Sequence, residues 1–340
     1  MKRRQFVFSA ATLGLLSGCG VLPNPGKAAS PRVVRLGILT LDANGPTTGP
    51  TFAGLRQGLA ELGYVDGQTI AIELRDPGGS HPERLPELAN ELIQLPVDVL
   101  VAGPSPAVLA AQRATTGVPI VFEPAIDPVG KGFVASLDHP GGNITGVSNV
   151  PPTVFGKLIQ YLAQLMPALS RVAFVSNFDP ASTSGAGGAE GPSIVQLMTT
   201  AATALGVQLK LLNVRAPEDV EPALAEALAW QTGAIIVGGF PFTDPTPRFV
   251  DFQLRNRIPF ASYAGAHAQA GDLFAYGPNL TALGRLSATL VDKICKGARP
   301  ADLPVEQPTV YDLVINQTTA EALGVTIPPE FAQQVTQWVQ

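Results

Sequence analysis

A chain of 340 residues with 46% apolar and 14% charged residues is long enough to build two packed domains and too apolar for intrinsic disorder. Its net charge of −5 offers no basic excess for a polyanion, so no nucleic-acid partner is expected. With two cysteines a disulfide framework is excluded, and stability has to come from apolar cores.

The N-terminus comes first. Lys2, Arg3 and Arg4 precede an apolar run from Phe6 to Leu16. That run fits a secretory h-region and is too short to span a bilayer, which takes about 20 apolar residues. Leu16-Ser17-Gly18-Cys19 resembles the lipobox of bacterial lipoprotein signal peptides, which implies cleavage before Cys19 and acylation of that residue. Residues 1–18 are therefore read as a signal peptide and 19–31 as a flexible tether. Arg3-Arg4-Gln5-Phe6 also resembles a twin-arginine export signal. Losing Lys2, Arg3 and Arg4 takes the net charge from −5 to about −8. The expected location is the bacterial cell membrane or its periplasmic face, with lipidated Cys19 as the membrane contact. Cys295, in "LVDKICKGA", is left as a half-buried thiol on a helix.

In the body of the chain, "VVRLGILT" reads as a buried strand, followed by a helix over Thr51 to Leu62 with Phe52, Leu55, Leu59 and Leu62 on one face. "QTIAIELRD" is a strand, and a helix opens at Pro82 with Leu85, Leu88 and Leu92 aligned. "VDVLVAG", "PAVLAAQRAT", "VPIVFEPA" and "NITGVSN" read as strand, helix, strand and strand. From Ser170 the outline repeats. "RVAFVSN" is a strand, and a helix ends at Ala204-Leu205-Gly206. "VQLKLLNV" is a strand, and a helix runs from Pro217 with Leu224 and Leu228 inward. "GAIIVGG", "PRFVDFQLRN" and "IPFASYAG" then give strand, helix and strand. After Gly271 come a short strand "LFAYGPN", a helix "TALGRLSATLVDKIC", a strand "VYDLVIN" and two brief helical pieces.

Two halves with one outline predict an α/β protein of two doubly wound, mainly parallel lobes. The long tail predicts three crossings between them, near Val147 to Pro152, Leu273 to Asn279 and Leu303 to Tyr311. The expected division is 32–149 with 277–305 in lobe I, and 150–276 with 306–340 in lobe II. Such a bundle of connections makes a hinge, and a hinge implies a closing cleft.

Ligands of open α/β sheets sit beyond the carboxyl ends of the strands. That rule selects Thr40 to Asp42, Ser105, Glu123 to Asp127, and Ser148-Asn149 in the first half. In the second it selects Ser176-Asn177, Gly239-Phe240 and Ser262-Tyr263. Ser105 fits an N-cap with Pro106 at the first helical position, and it either caps its helix or receives an anion there. Asp127, before Pro128, either organises a turn or faces a ligand ammonium. Tyr263, Tyr276, Phe240 and Phe242 either pack the core or sandwich an apolar ligand. Asn177 opens the Gly/Ser-rich segment "NFDPASTSGAGGAEGPS".

Catalytic motifs are missing. His81, His139 and His267 lack metal-ligand spacing, so no metal is expected. "GPSPA" is not a nucleophile elbow, because Ala107 stands where glycine is needed. Gly130-Lys131 lacks the Walker context, and "GGNITG" lacks the third glycine of a dinucleotide fingerprint. No catalytic residue and no cofactor are expected.

"LRQGLAELGYVDGQTIAIELR", "LPVDVLVAG", "IDPVGKGFVASLDHPGGNITGVS", "AYGPNL", "VDKICKGARPADLPVEQPTVYDLVIN" and "TAEALGVTIPP" resemble the ABC-transporter substrate-binding proteins of the tryptophan/tyrosine-binding type. The resemblance spans about Arg32 to Glu330. It implies a type I periplasmic-binding fold that holds a small ligand, some relatives taking aromatic amino acids, and delivers it to an ABC permease in the membrane. It places ligand contacts at Thr40 to Ala43, Ser105, Asp127, Ser148 and Tyr276. The sequence departs from the family in the second half, where Asp179-Pro180 leads into "ASTSGAGGAEG" and where "GGFPFTDPTPRF" stands. A monomer is expected. The competing readings are an exported α/β hydrolase or transferase, and a module that presents its ligand to a membrane receptor.

Overall fold

The computed structural model describes residues 33–41, 49–78, 81–125, 127–149, 153–177, 194–238 and 246–340. In chain order its first half holds β1 (Val34–Thr40), α1 (Pro50–Glu61), β2 (Ile70–Arg75), α2 (Leu85–Gln94), β3 (Val99–Gly103), α3 (Ser105–Ala114), β4 (Ile120–Ala125) and β5 (Ile144–Ser148). The second half holds α4 (Thr153–Leu165), β6 (Arg171–Ser176), α5 (Ile194–Ala204), β7 (Gln208–Asn213), α6 (Val220–Ala229), β8 (Ala234–Val237), α7 (Thr246–Asn256) and β9 (Phe260–Ser262). There follow α8 (Gly265–Ala270), β10 (Phe274–Pro278), α9 (Leu280–Cys295), β11 (Tyr311–Asn316), α10 (Gln317–Leu323), α11 (Pro329–Ala332) and β12 (Gln337–Val339).

The strands form two sheets, ordered β2-β1-β3-β4-β5 and β12-β11-β10-β9-β8-β6-β7. From β7 to β10 the second sheet has the same winding as the first, as the repeated outline predicts. It then gains β11, antiparallel to β10, and the terminal β12. Every other pairing is parallel, so most strands are covered on both faces and read as unbroken apolar runs. In β3 every residue is buried.

Each sheet has a core on both faces. On the first, Leu36 and Ile38 meet Phe52 and Leu55 of α1 and Leu283 and Leu290 of α9. Leu39 and Leu100 on the other face meet α2 and α3 through Leu85, Leu88, Leu92 and Val108. On the second sheet, α4 and α5 pack with Phe174, Ile236 and Phe274, while α6 and α7 cover Val175 and Val237. Helix α9 lies so close to α1 that a Cβ at Gly54 would overlap the Thr281 carbonyl. One at Gly284 would overlap the Thr51 carbonyl, and one at Gly58 would sit 2.7 Å from the Ala288 methyl.

Three crossings join the sheets. One leaves β5 toward α4, through residues 150–152, outside the described set. Another runs from Pro278 at the end of β10 straight into α9 through Asn279. The last leads from Glu306, bridged in parallel to Val147 beside β5, to β11. Around this last crossing Ser148 N donates to Glu306 O at 2.8 Å, and Glu306 N donates to Gly146 O at 2.9 Å.

Some details differ from the sequence reading. Leu62 falls past the end of α1 and is 41% exposed, and Leu228 is 44% exposed. The helices after Pro82 and Pro217 begin with 3-10 turns over Pro82–Arg84 and Pro217–Asp219. Helices α4 and α8 and strand β12 were not anticipated. Helix α4 is amphipathic: Val154, Phe155, Leu158, Ile159, Leu162 and Leu165 are buried, while Thr153, Gln160 and Gln164 are exposed along one side with Lys157 half-buried between them.

Candidate functional site

The carboxyl end of the first sheet opens into a pocket of about 230 Å³. Its lining includes Thr40 at the end of β1, Pro104 after β3, Glu123 and Pro124 of β4, Asn149 after β5, and Leu280 at the start of α9. Parallel strands that all end on one edge bring these positions together, and the amino ends of α1 and α9 roof them with Thr51, Phe52 and Leu280. Thr40 is 8% exposed and pairs with Gly103. Gly103 lacks a side chain for a steric reason: a Cβ there would lie 2.7 Å from Glu123 Oε2.

Ser105 does not cap its own helix. Pro104 occupies the cap position and Pro106 the second helical position, because α3 begins at Ser105 itself. Ser105 Oγ instead accepts a hydrogen bond from Lys131 Nζ at 2.9 Å. Asp127 adopts a left-handed backbone, φ 51°, which Asp tolerates better than most residues. Its Oδ1 accepts from Gly130 N at 2.8 Å, and a side chain at position 130 would overlap the same carboxylate. Asp127 thus builds the turn that carries Lys131 to Ser105. Burial of the Lys131 amine end lowers its pKa below the ordinary lysine value, and the Asp127 carboxylate opposes that shift. Lys131 escaped the sequence reading because a single lysine between glycines carries no motif.

Ser148 ends β5 half-buried, its N–H spent on Glu306. Next to it, Asn149 N donates to Ala125 O at 2.9 Å. Its Oδ1 is buried without a hydrogen-bond partner. The strand-end rule had selected both Glu123 and Asn149, but nothing in the sequence singled them out from their neighbours.

On the second sheet Asn177 is exposed just beyond β6, and Ser176 is buried against Gly238. Tyr263 packs against Phe155 with ring centroids 5.8 Å apart. Tyr276 stacks on Tyr311 at 5.7 Å and meets Tyr161 edge-on at 5.1 Å. Both rings join the core around α4, so their neighbours among the described residues are rings of the chain itself. Burial raises the pKa of Tyr276. Asp42, Phe240 and Phe242, as well as Cys19, lie outside the described residues.

Among the described residues no cluster of three or more His, Cys, Asp or Glu could hold a metal ion, and no helix is long and apolar enough to cross a membrane.

Comparison with known proteins agrees with this geometry. The chain is 23% identical over 332 residues to a tyrosine-binding protein of Clostridioides difficile, covering 93% of this chain and 90% of the relative. Its fold matches a Streptococcus pneumoniae ABC domain in complex with L-Trp, with a TM-score of 0.76 at 23% identity, over 91% of this chain and 100% of the other. It also matches the ligand-free, open structure of a Clostridium difficile substrate-binding protein with adhesive properties, with a TM-score of 0.70 at 22% identity, over 91% and 99%. The fold is thus the two-lobed type I periplasmic-binding one. The family model for ABC transporter substrate binding proteins matches residues 36–339. The chain belongs to that family: it is a binding protein for a small molecule, associated with an ABC transporter, and not an enzyme.

Proposed function

We propose that the chain is an extracytoplasmic, lipid-anchored solute-binding protein of an ABC uptake system that captures an amino acid or a related aromatic compound. The observation that carries this reading is the pocket at the carboxyl edge of the first sheet, beside the crossings to the second. In this reading residues 32–149 with 277–305 form one lobe and 150–276 with 306–340 the other, with the three crossings as hinge. Ligand held by both lobes favours the closed state by the contacts it makes only there. Ser105 and Lys131 take the ligand carboxylate, with Lys131 supplying the charge and Asp127 holding its loop in place. Relatives that bind tyrosine or hold L-Trp support an aromatic amino acid as the first candidate. Acylated Cys19 keeps the chain at the membrane, and the tether to residue 31 leaves the lobes free to reorient.

A thermal-shift screen with amino acids, aromatic acids, sugars and nucleosides tests the reading. A ligand present at 100 times its Kd stabilises the folded state by about 2.7 kcal/mol and raises the melting temperature. The reading expects an amino acid or aromatic compound among the hits. A panel in which only sugars or nucleosides act would overturn the ligand class, and a panel without any hit would overturn solute binding.

A further inference from the structure

Charge sets helices α4 and α5 apart from the rest of the surface. Helices α1, α2, α3, α6, α7 and α9 each put charged side chains in solvent, among them Glu61, Glu91, Arg113, Glu226, Asp251 and Lys293. Residues 153–170 and 194–207, which include α4 and α5, hold one charged side chain, Lys157. It is half-buried, with Nζ 4.8 Å from the centre of the Tyr161 ring. Loss of charge from an exposed face is the compositional mark of an interface core.

The polar groups of this face need little from water. The hydroxyls of Thr199, Thr200 and Thr203 donate to the carbonyls of Val195, Gln196 and Thr199 at 2.7, 2.9 and 2.8 Å. Between the helices runs a groove of about 390 Å³, larger than the pocket of the first sheet. Gln160, Ala163 and Gln164 line it from α4, and Ala201 and Ala204 from α5. Leu205, directly after α5, completes the lining and is 44% exposed.

These groups select the occupant. In a two-fold contact a surface meets its own copy, so its groups must suit one another. Amides both donate and accept, so Gln160 and Gln164 satisfy the same residues across an axis, which like charges do not. The groove and Leu205 give one face a hole and an apolar knob. The chain carries a net charge of −5, so a second copy is repelled over most of the surface and least at this face. A strongly charged partner would meet no counter-charge here. At 1.5 Å per residue, α4 and α5 are about 20 and about 16 Å long, and packed helices lie about 8–10 Å apart. A face of that size falls short of the roughly 800 Å² that each partner gives to a standard stable interface, so the contact is reversible.

We propose that the α4–α5 face joins two copies of the chain about a two-fold axis, Leu205 of each entering the groove of the other and Gln160 and Gln164 pairing across it. The proposal goes beyond ligand capture and does not depend on it. It replaces the monomer expected from the sequence with a reversible dimer.

The test is sedimentation velocity across the micromolar range, on the full chain carrying Cys19→Ser so that acyl chains cannot cause association. The average mass should rise from one chain toward two with concentration. Leu205→Glu and Gln164→Glu each bring carboxylates into an uncharged contact and should weaken association at least about 10-fold. Leu228→Glu and Leu254→Glu, on α6 and α7 and 44% exposed like Leu205, should leave it unchanged. Melting curves show which variants fold, and exposed Gln164 provides a second variant if Leu205→Glu does not. A single-chain mass at every concentration overturns the proposal. So does a dimer that persists in the folded Leu205 and Gln164 variants, or one lost equally in Leu228→Glu and Leu254→Glu. Masses that grow past two chains overturn the closed two-fold contact. Ligand affinity should match wild type in all four variants, so the dimer can fail while solute binding stands.

Discussion

Asn279 joins the two sheets with one side chain. Its Nδ2 donates to Asp312 Oδ2 on β11 at 2.7 Å, while its Oδ1 accepts from Ala282 N at 2.8 Å and so caps α9. Helix α9 packs on the first sheet, and β11 belongs to the second. The backbone reinforces the link, since Asn279 N donates to Val310 O at 3.0 Å. A bond between the end of one crossing and the end of another is placed to set the resting geometry of the hinge.

Replacing Asn279 separates capping from clasping. Asn279→Ala removes both, and the loss should be about 2–4 kcal/mol, combining a cap of about 1 kcal/mol with a hydrogen bond to a charged group. Asn279→Ser retains a competent cap but does not reach Asp312, so it should recover about 1 kcal/mol of that loss. Urea unfolding of the three proteins measures both differences. If serine and alanine are equally destabilising, the helix cap contributes nothing here.

The approach of α1 to α9 gives a prediction whose sign is diagnostic. Glycine to alanine inside a helix ordinarily stabilises by about 1 kcal/mol through backbone propensity. At Gly54 and Gly284 the added methyl would overlap a carbonyl of the facing helix. Gly284→Ala should therefore destabilise, by about 1–3 kcal/mol, as overpacking does. Thermal unfolding gives the answer, and a raised melting temperature would mean that the helices are further apart than described.

Alkaline pH should weaken the fold. Burial raises the pKa of Tyr64, Tyr161, Tyr276 and Tyr311; the Cys295 thiol and Asp292 carboxylate add to the effect on Tyr64, and Tyr276 adds to that on Tyr161 and Tyr311. The unfolded chain then ionises first, near pH 10, and the folded chain holds more protons above it. The stabilising contribution is complete below about pH 10 and is lost as pH rises through the raised folded values. Urea midpoints between pH 8 and 11 should fall above pH 10. Tyr64→Phe should reduce that fall. A flat or rising midpoint would contradict the burial of these phenols.

Much of this architecture was legible in the sequence, because parallel strands covered on both faces leave runs such as "VDVLVAG" and "GAIIVGG". The repeated outline foretold the shared winding. Helix α4 was legible but passed over: Thr153, Lys157, Gln160 and Gln164 recur at helical spacing opposite the buried Phe155, Leu158, Ile159 and Leu162. Strand β12 is three residues long, too short for a period. At the site, the strand-end rule found Thr40, Glu123 and Asn149. It could not find the Lys131–Ser105 bond, which depends on the turn at Asp127. The aromatic residues Tyr263 and Tyr276 had two open roles in the sequence, and only packing shows that their neighbours are Phe155, Tyr161 and Tyr311.

The proposed lipid anchor at Cys19 has its own test. Cys19→Ser should move the protein from the membrane fraction to the soluble exported fraction and leave ligand affinity within twofold of wild type. Retention of the variant in the membrane fraction would end the lipobox reading.

The central claim is that a small ligand is captured at the first-sheet pocket and draws the two lobes together. Small-angle X-ray scattering, recorded without ligand and with a saturating hit from the thermal screen, tests it most directly. The account predicts a smaller radius of gyration on saturation in the wild type, and no change at the same ligand concentration in an Asn149→Ala, Glu123→Ala double variant. A ligand that saturates the wild type by calorimetry yet leaves its radius of gyration unchanged would contradict it.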